Sequence, residues 1–501
     1  MIGTEAAGVW KYFEELSRIP RGSTNEAGVR AWVRGFAAAQ GFEYKEDAAG
    51  NCLVVVPGRG TGVASTPVII QSHMDMVCVK AEGSLHDFTR DPILLKVEPW
   101  EEKGQTQEVL TAEGTTLGAD NGIGLTAAMA VAVDSEVTDC PPLELLFTMD
   151  EETGLTGARD LDPALLRSDL LLNLDTEELG DICVSCAGGR DMTAEWTVQR
   201  TEPAEGEVPL RLTLTGLPGG HSGVEIHEQN GNAIQTLLME VTRPHLFRKW
   251  ENLTEKLLLA EISGGSARNV IPSDAEMVVW VPERLAAELE AAFADPALAA
   301  RTQANLRTGA GPVSFRSERC APETTPRPID PEQTYAIISA IQAVPHGVQA
   351  WSEVVPNLVE TSNNVAVVQT TDRSVRLICS TRSSRDGAIT AFQDRVKADL
   401  EKSGATVVCS EGYPGWPADP NNPLLGKAES VFTEVLGHPP NVMAVHAGLE
   451  CGVFKGKRST LQMISFGPDI QGAHTIHERI VIASIAPFYR CLTSLLKSLA
   501  V

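Results

Sequence analysis

The sequence predicts an α/β protein of two domains, a mixed sheet packed between helices and an inserted α+β domain made of two related halves. Three observations carry this expectation. The segments LELLFTM (Leu143–Met149) and LLLNL (Leu170–Leu174) are nearly all apolar, as strands covered on both faces are. Beyond residue 187 the texture changes: RDMTAEWTVQR and PLRLTLTGL alternate polar and apolar residues, the period of a sheet wet on one face. A length of 501 residues also exceeds what one hydrophobic core usually organises.

The elements follow in chain order. Trp10, Phe13 and Leu16 recur at helical spacing. Asn25 to Gln40 places Val29, Trp32, Val33 and Phe36 on one helical face, with Gly41 where a glycine ends a helix. Strands are expected at Leu53–Pro57 and Pro67–Gln71, and a helix opens near Asp120–Gly122 and continues through LTAAMAVAV. Helices alternating with apolar strands read as an α/β domain. In the insertion, the helix Asn232–Thr242 and the strand Ala275–Val281 follow the two alternating strands. A similar texture recurs from Thr361 to Leu400, where NNVAVVQT and SVRLICST precede the helix Ala388–Leu400. The Pro-rich join Pro322–Glu332 separates the two halves, and the apolar texture returns from about residue 403 in LECGVFKGK and LQMISFG. The expected domains are therefore 1–186 with 403–501, and 187–402.

Composition narrows the function. A net charge of −25 argues against a nucleic-acid surface, which needs clustered Lys and Arg. No apolar run approaches the ~20 residues that span a bilayer, so no membrane partner is expected. The N-terminal stretch lacks the basic and apolar regions of a signal peptide, which points to the cytoplasm. Ten scattered cysteines fit reduced thiols there, and Cys183-Val-Ser-Cys186, without a second pair, reads as structural.

The chemistry lies at strand ends. His73-Met74-Asp75, Asp150-Glu151-Glu152 and Asp175 each close a predicted strand; Asp120 precedes a helix; His474 follows the strand Leu461–Phe466. Any one of these is more simply a turn former, a helix cap or a hydrogen-bonded core histidine. Together they bring carboxylates and imidazoles to one rim of an open sheet, where ligands bind. Such a cluster is strongly unfavourable without cations, and mixed His and carboxylate donors suit zinc, manganese or cobalt better than calcium or magnesium.

SHMDMV, GADNGIG, TMDEETGLTGA and NLDTEE, in this order and spacing, resemble the M20 group of di-zinc peptidases. IPRGSTNE, GGHSGVEIH, SARNVIP, STRSS, HAGLECG and AHTIHE resemble its aminoacyl-histidine dipeptidase branch. The resemblance spans nearly the whole chain. It implies a catalytic domain of the zinc-peptidase type, a lid formed by the insertion, and hydrolysis of dipeptides with a free N-terminus. It implies two divalent ions bridged by Asp120, one completed by His73 and Asp175 and the other by Glu152 and His474. Asp75 would orient His73, and Glu151 would be the general base. In the lid, His221 would stabilise the oxyanion, Asn269 would bind substrate, and Arg382 or Arg385 would receive its carboxylate. Glu450 would take the α-amine, with His446 beside it to orient it. The resemblance also allows a homodimer.

Two places depart from the family pattern. His474-Thr-Ile-His477-Glu478 stands where H-S-P-D-E is common, and the residues after GGHSG, including Glu225, differ from the branch, so substrate preference does not carry over. The alternatives are an aminoacylase, carboxypeptidase or other amidohydrolase of the same group, or a peptide-binding protein without catalysis.

Overall fold

The computed structural model describes residues 5–102, 104–243, 257–306, 311–353, 357–385 and 387–500. The chain divides into two compact units: Met1–Cys186 with Trp416–Ala444 and Leu449–Val501, and Ala187–Gly415 with Val445–Gly448. Each has its own apolar core.

In the first unit an eight-stranded mixed sheet runs in the order Glu43–Glu46, Cys52–Val56, Leu143–Thr148, Val68–His73, Leu170–Asn173, Gln462–Ser465, Asp181–Cys186, Asn441–Val445. The four strands from Leu143–Thr148 to Gln462–Ser465 are mutually parallel. Every residue of Val68–His73 and Leu143–Thr148 is buried, which fits their apolar residues on both faces of the sheet. Fully burying each Leu, Ile, Val or Phe there contributes about 1.5–3 kcal/mol, enough to fix the middle of the sheet. The helix Ala119–Val133 is buried nearly all round and packs on Val68–His73, with Ala7–Leu16 against it. The helix Ala27–Gln40 ends at Gly41, whose φ is 72°. Phe432, Phe466 and Phe488 pack edge to face and tilted, with centroids 5.0 and 5.9 Å apart, just where the chain leaves Gln462–Ser465 toward His474. A smaller sheet carries the hairpin Leu95–Glu102 and Gln105–Ala112, which no sequence pattern announced.

The second unit is a nine-stranded antiparallel sheet built from two β-α-β-β-α-β modules. One module contains the strands Glu207–Thr215, Leu258–Gly264, Ala275–Pro282 and Ser314–Arg319, with the helices Ala233–Thr242 and Glu283–Ala294. The other contains Gly188–Thr197, Val359–Thr370, Ser374–Ser383 and Thr406–Cys409, with the helices Pro331–Ala343 and Ala388–Lys402; Gly347–Trp351 adds to Val359–Thr370. Both have the spatial order fourth-first-third-second, and they meet where Ser263 and Gly264 pair with Gln369 and Val368. The two related halves are therefore present, but divided differently from the sequence reading. Gly188–Thr197 pairs with Ser374–Ser383 across its full length and so belongs to the second half, while the first half is inserted behind it. Alternation announces a strand but not its partner. Likewise Thr406–Cys409 pairs with Gly188–Thr197, so the chain re-enters the first unit at Trp416 rather than near residue 403.

Among the described residues, no helix is long and apolar enough to cross a membrane. Cys183 and Cys186 are both buried in Asp181–Cys186.

Candidate metal centre and active site

His73 is the last residue of its strand, and its Nε2 lies 3.0 Å from Asp120 Oδ1 and 3.5 Å from Asp175 Oδ1. On the other side of the same carboxylate, His474 Nε2 lies 3.1 Å from Asp120 Oδ2 and 2.9 Å from Glu152 Oε2. Asp120 thus offers one oxygen to each of two imidazoles. His73, Asp120 and Asp175 form one cluster of potential ligands, and Asp120, Glu152 and His474 form a second.

Local structure explains the convergence. Asp120 and Asn121 leave helical φ/ψ at the start of Ala119–Val133, which turns the aspartate out of the helix. At Gly124 a Cβ would stand 2.6 Å from the carbonyl of Leu174, so only glycine lets this helix lie against the strand end that carries Asp175. Asn121 Nδ2 donates to Asp175 Oδ1. Asp75 Oδ1 lies 3.3 Å from His73 Nδ1, and the carboxylate accepts the backbone N–H of Glu151 at 3.0 Å, that of Glu152 at 3.2 Å and the Ser23 hydroxyl at 2.8 Å. It therefore ties the histidine to the loop bearing both glutamates. His474 has a φ of 63°, a left-handed conformation rare outside glycine.

The electrostatics are those of crowded carboxylates. Burial lowers the His73 pKa, but Asp175, Asp120 and Asp75 outweigh it and hold it well above the usual value. Hydrogen bonding to Asp120 and Glu152 lifts His474 to about 11. Asp120 is held low by His474 and His73 in spite of its burial. Burial raises Glu152 and Asp175, and raises Glu151 far above the carboxylate range, with Asp175, Glu450 and Glu152 adding to it against His73. Burial together with Asp120 and Asp175 brings Glu177 to about 8. Divalent cations fit this donor set: two mixed nitrogen–oxygen triads share one carboxylate, and Glu152 Oε1 is buried without a hydrogen-bond partner. Glu151 lies beside His73 and Glu152, and its carboxylate has no hydrogen bond among the described residues.

Glu450 is buried in the first turn of Glu450–Lys457. Its Oε2 accepts from Gln71 Nε2 at 2.5 Å and Thr148 Oγ1 at 2.9 Å, while Oε1 is buried without a partner. Burial lifts its pKa to about 8.

The second unit gathers a different constellation. Arg382 is buried, donates to the Tyr413 hydroxyl at 3.2 Å, and forms no ion pair among the described residues. Arg385 is exposed. His446 Nε2 lies 2.7 Å from Ser362 Oγ, so its ring is set by Ser362, the cross-strand neighbour of Arg382, rather than by Glu450. The backbone of His221 pairs with Val270, and Asn269 O accepts from Ser222 N at 2.8 Å, placing the exposed Asn269 on the loop beside His221. Glu225 accepts the His221 backbone N–H at 2.5 Å. A Cβ on Gly223 would stand 3.0 Å from His221 Cε1 and 3.3 Å from Arg382 Cζ, so both side chains crowd this glycine.

Residues 69–498 match the peptidase family M20/M25/M40. The chain belongs to this family. As a member of the M20 peptidases it is 34% identical over 491 residues to the cytosol non-specific dipeptidase of Escherichia coli K12, covering 98% of this chain and 97% of that protein. It superimposes on the crystal structure of aminoacylhistidine dipeptidase from Vibrio alginolyticus with a TM-score of 0.87 at 33% identity, covering 99% and 98% of the two chains. Aminopeptidase PepT from Bacillus cereus, at 14% identity, a TM-score of 0.55 and full coverage of both chains, shares the fold alone.

Arg21 and Glu478 were not singled out by sequence reasoning, although both lie inside quoted motifs. Arg21 is buried and donates to the carbonyls of Met74, Asp75 and Gly118; Glu478 is buried and accepts backbone N–H groups from Leu117 to Asp120.

Proposed function

We propose that this M20 peptidase is a metallo-dipeptidase that hydrolyses dipeptides with a free N-terminus, Xaa-His and others, with two divalent ions, zinc before manganese or cobalt. The observation that carries the reading is Asp120, one oxygen toward each of two His-carboxylate triads, with Glu151 beside them and uncommitted. Resemblance to named dipeptidases along nearly the full chain supports the substrate class.

His73, Asp120 and Asp175 would hold one ion, and Asp120, Glu152 and His474 the other. Bound there, the pair would acidify a water and polarise the scissile carbonyl. Glu151 takes the proton of the attacking water and passes it to the leaving amine; its raised pKa, caused first by burial, favours taking up that proton. Asp75 keeps His73 oriented through Nδ1. Glu450, with one oxygen unpartnered, receives the α-ammonium, whose charge restores its ionised form. In the second unit, Arg382 receives the substrate carboxylate, a role supported by its burial without an ionic partner. His221 donates to the oxyanion and Asn269 contacts substrate, with His446 lining the same constellation.

The test compares Ala-His, β-Ala-His and N-acetyl-His with the zinc-loaded and manganese-loaded protein. Turnover of the free dipeptides and rejection of the acetylated compound are expected. Preferential hydrolysis of N-acetyl-His would make the chain an aminoacylase instead, and binding without turnover would make it a peptide-binding protein.

A further inference from the structure

Gly118 sits between two buried, oppositely charged side chains. On one side the Glu478 carboxylate accepts four backbone N–H groups in succession: Leu117 at 2.7 Å and Gly118 at 3.0 Å on Oε2, Ala119 at 2.7 Å and Asp120 at 3.3 Å on Oε1. On the other side Arg21 Nη2 donates to the Gly118 carbonyl, while Nη1 donates to the carbonyls of Met74 at 3.0 Å and Asp75 at 2.8 Å. Arg21 is 4% exposed and Glu478 2% exposed, and no direct ion pair joins them among the described residues. The two charges are instead satisfied through one stretch of backbone, the stretch that delivers Asp120.

Each partner also belongs to another ligand-bearing segment. Glu478 lies four residues after His474, its own N–H donates to Thr475 O at 3.2 Å, and its carbonyl accepts from Thr111 Oγ1 at 2.9 Å. Arg21 grips the two carbonyls that follow His73. Buried charges are costly to isolate, and removing one partner leaves the other uncompensated. Each end of this arrangement therefore fixes a distance between ligand-bearing segments.

We propose that Arg21 and Glu478 form a charge clamp across Leu117–Asp120 that positions the ligands of both candidate metal sites, Glu478 tying Asp120 to His474 and Arg21 tying Asp120 to the strand end of His73. This rests on reading the two triads as a metal pair. Neither side chain is a ligand; both are positioning residues. Groups that orient metal ligands typically change metal affinity by about 10–100-fold when lost.

The full-length parent, Glu478→Gln and Arg21→Met are loaded with cobalt(II). Metal per chain, dissociation constants by chelator competition and the visible cobalt spectrum are then measured. Glu144→Gln serves as a control for loss of a buried glutamate from the same unit, since Glu144 faces Arg167 at 3.4 Å away from any triad. The expected result is two ions in the parent and in Glu144→Gln, with at least one ion bound about 10–100-fold more weakly and an altered spectrum in each clamp variant. Parental affinity and spectrum in both clamp variants, whatever their thermal stability, would overturn the clamp as a positioning device. If either variant does not fold, Glu478→Asp and Arg21→Lys, which keep the charge and change the reach, are read by the same two criteria. A parent that takes up no metal would instead sink the metal-pair reading, and the clamp with it.

Discussion

The candidate-site histidines of the two units, His73 and His474 in the first and His221 and His446 in the second, are pushed in opposite directions. In the first unit carboxylates lift them: His73 is held well above its usual pKa, and His474 rises to about 11 through its hydrogen bonds to Asp120 and Glu152. In the second, burial and then Arg382 depress them, bringing His446 to about 3 and lowering His221. One region collects negative charge and suits cations. The other keeps a buried guanidinium and neutral imidazoles, which suits a carboxylate or a developing oxyanion. The same residue type takes a different role because its neighbours differ.

The largest effect that would break this contrast is at its negative centre. Asp120→Ala removes the carboxylate shared by both triads, and both ions should be lost, with peptide hydrolysis falling below detection; metal analysis after gel filtration checks this. Two ions retained by that variant would show that Asp120 does not bridge.

On the positive side, Arg382→Met is expected to raise KM for free dipeptides on the order of 10²-fold, the scale of one or two hydrogen bonds to a charged group. Metal content should stay at the parental level. A peptide amide should lose far less, because it lacks the carboxylate; equal losses for acid and amide would detach Arg382 from substrate recognition.

A smaller effect is expected at Gly223. Its φ is not in the left-handed region, so alanine is opposed by contact, nearest with His221, Arg382 and the His446 carbonyl. Gly223→Ala should destabilise the protein by about 1–3 kcal/mol, as overpacking does, and lower kcat/KM without loss of metal. Unchanged kinetics would mean that these side chains need not hold the positions seen.

The last expected effect, confined to acid pH, is a pH dependence of stability in the second unit. Burial brings His346 to about 4, below its unfolded value of 6.5. Between these values the unfolded chain binds more protons, so stability rises with pH there and is lost as pH falls from about 6.5 toward 4. Replacing His346 by Asn should flatten that slope in denaturant titrations; an unchanged slope would assign it to other groups.

Much of the candidate site was legible because its signals are local. A run such as VIIQSH or LELLFTMDEE shows, within a few residues, a buried strand and the polar groups at its end. The modular lid was legible as texture but not as pairing, since Gly188–Thr197 carries no mark that its partner is Ser374–Ser383 rather than the next strand. Arg21 and Glu478 stayed hidden for a related reason. Their partners are backbone groups 97 and 360 residues away around Gly118, and backbone amides leave no signature in a sequence. His446 was read beside Glu450 because they are neighbours in the chain, yet its ring bonds to Ser362.

In the proposed mechanism Glu151 moves the proton while its neighbours hold the ions. Metal content and Ala-His turnover, measured together on the parent and Glu151→Gln, test it most directly. Two ions are expected in both proteins, with a kcat lower by about 10²–10⁴-fold in the variant, the range of a general base. A variant that keeps its ions and hydrolyses at the parental rate would contradict it.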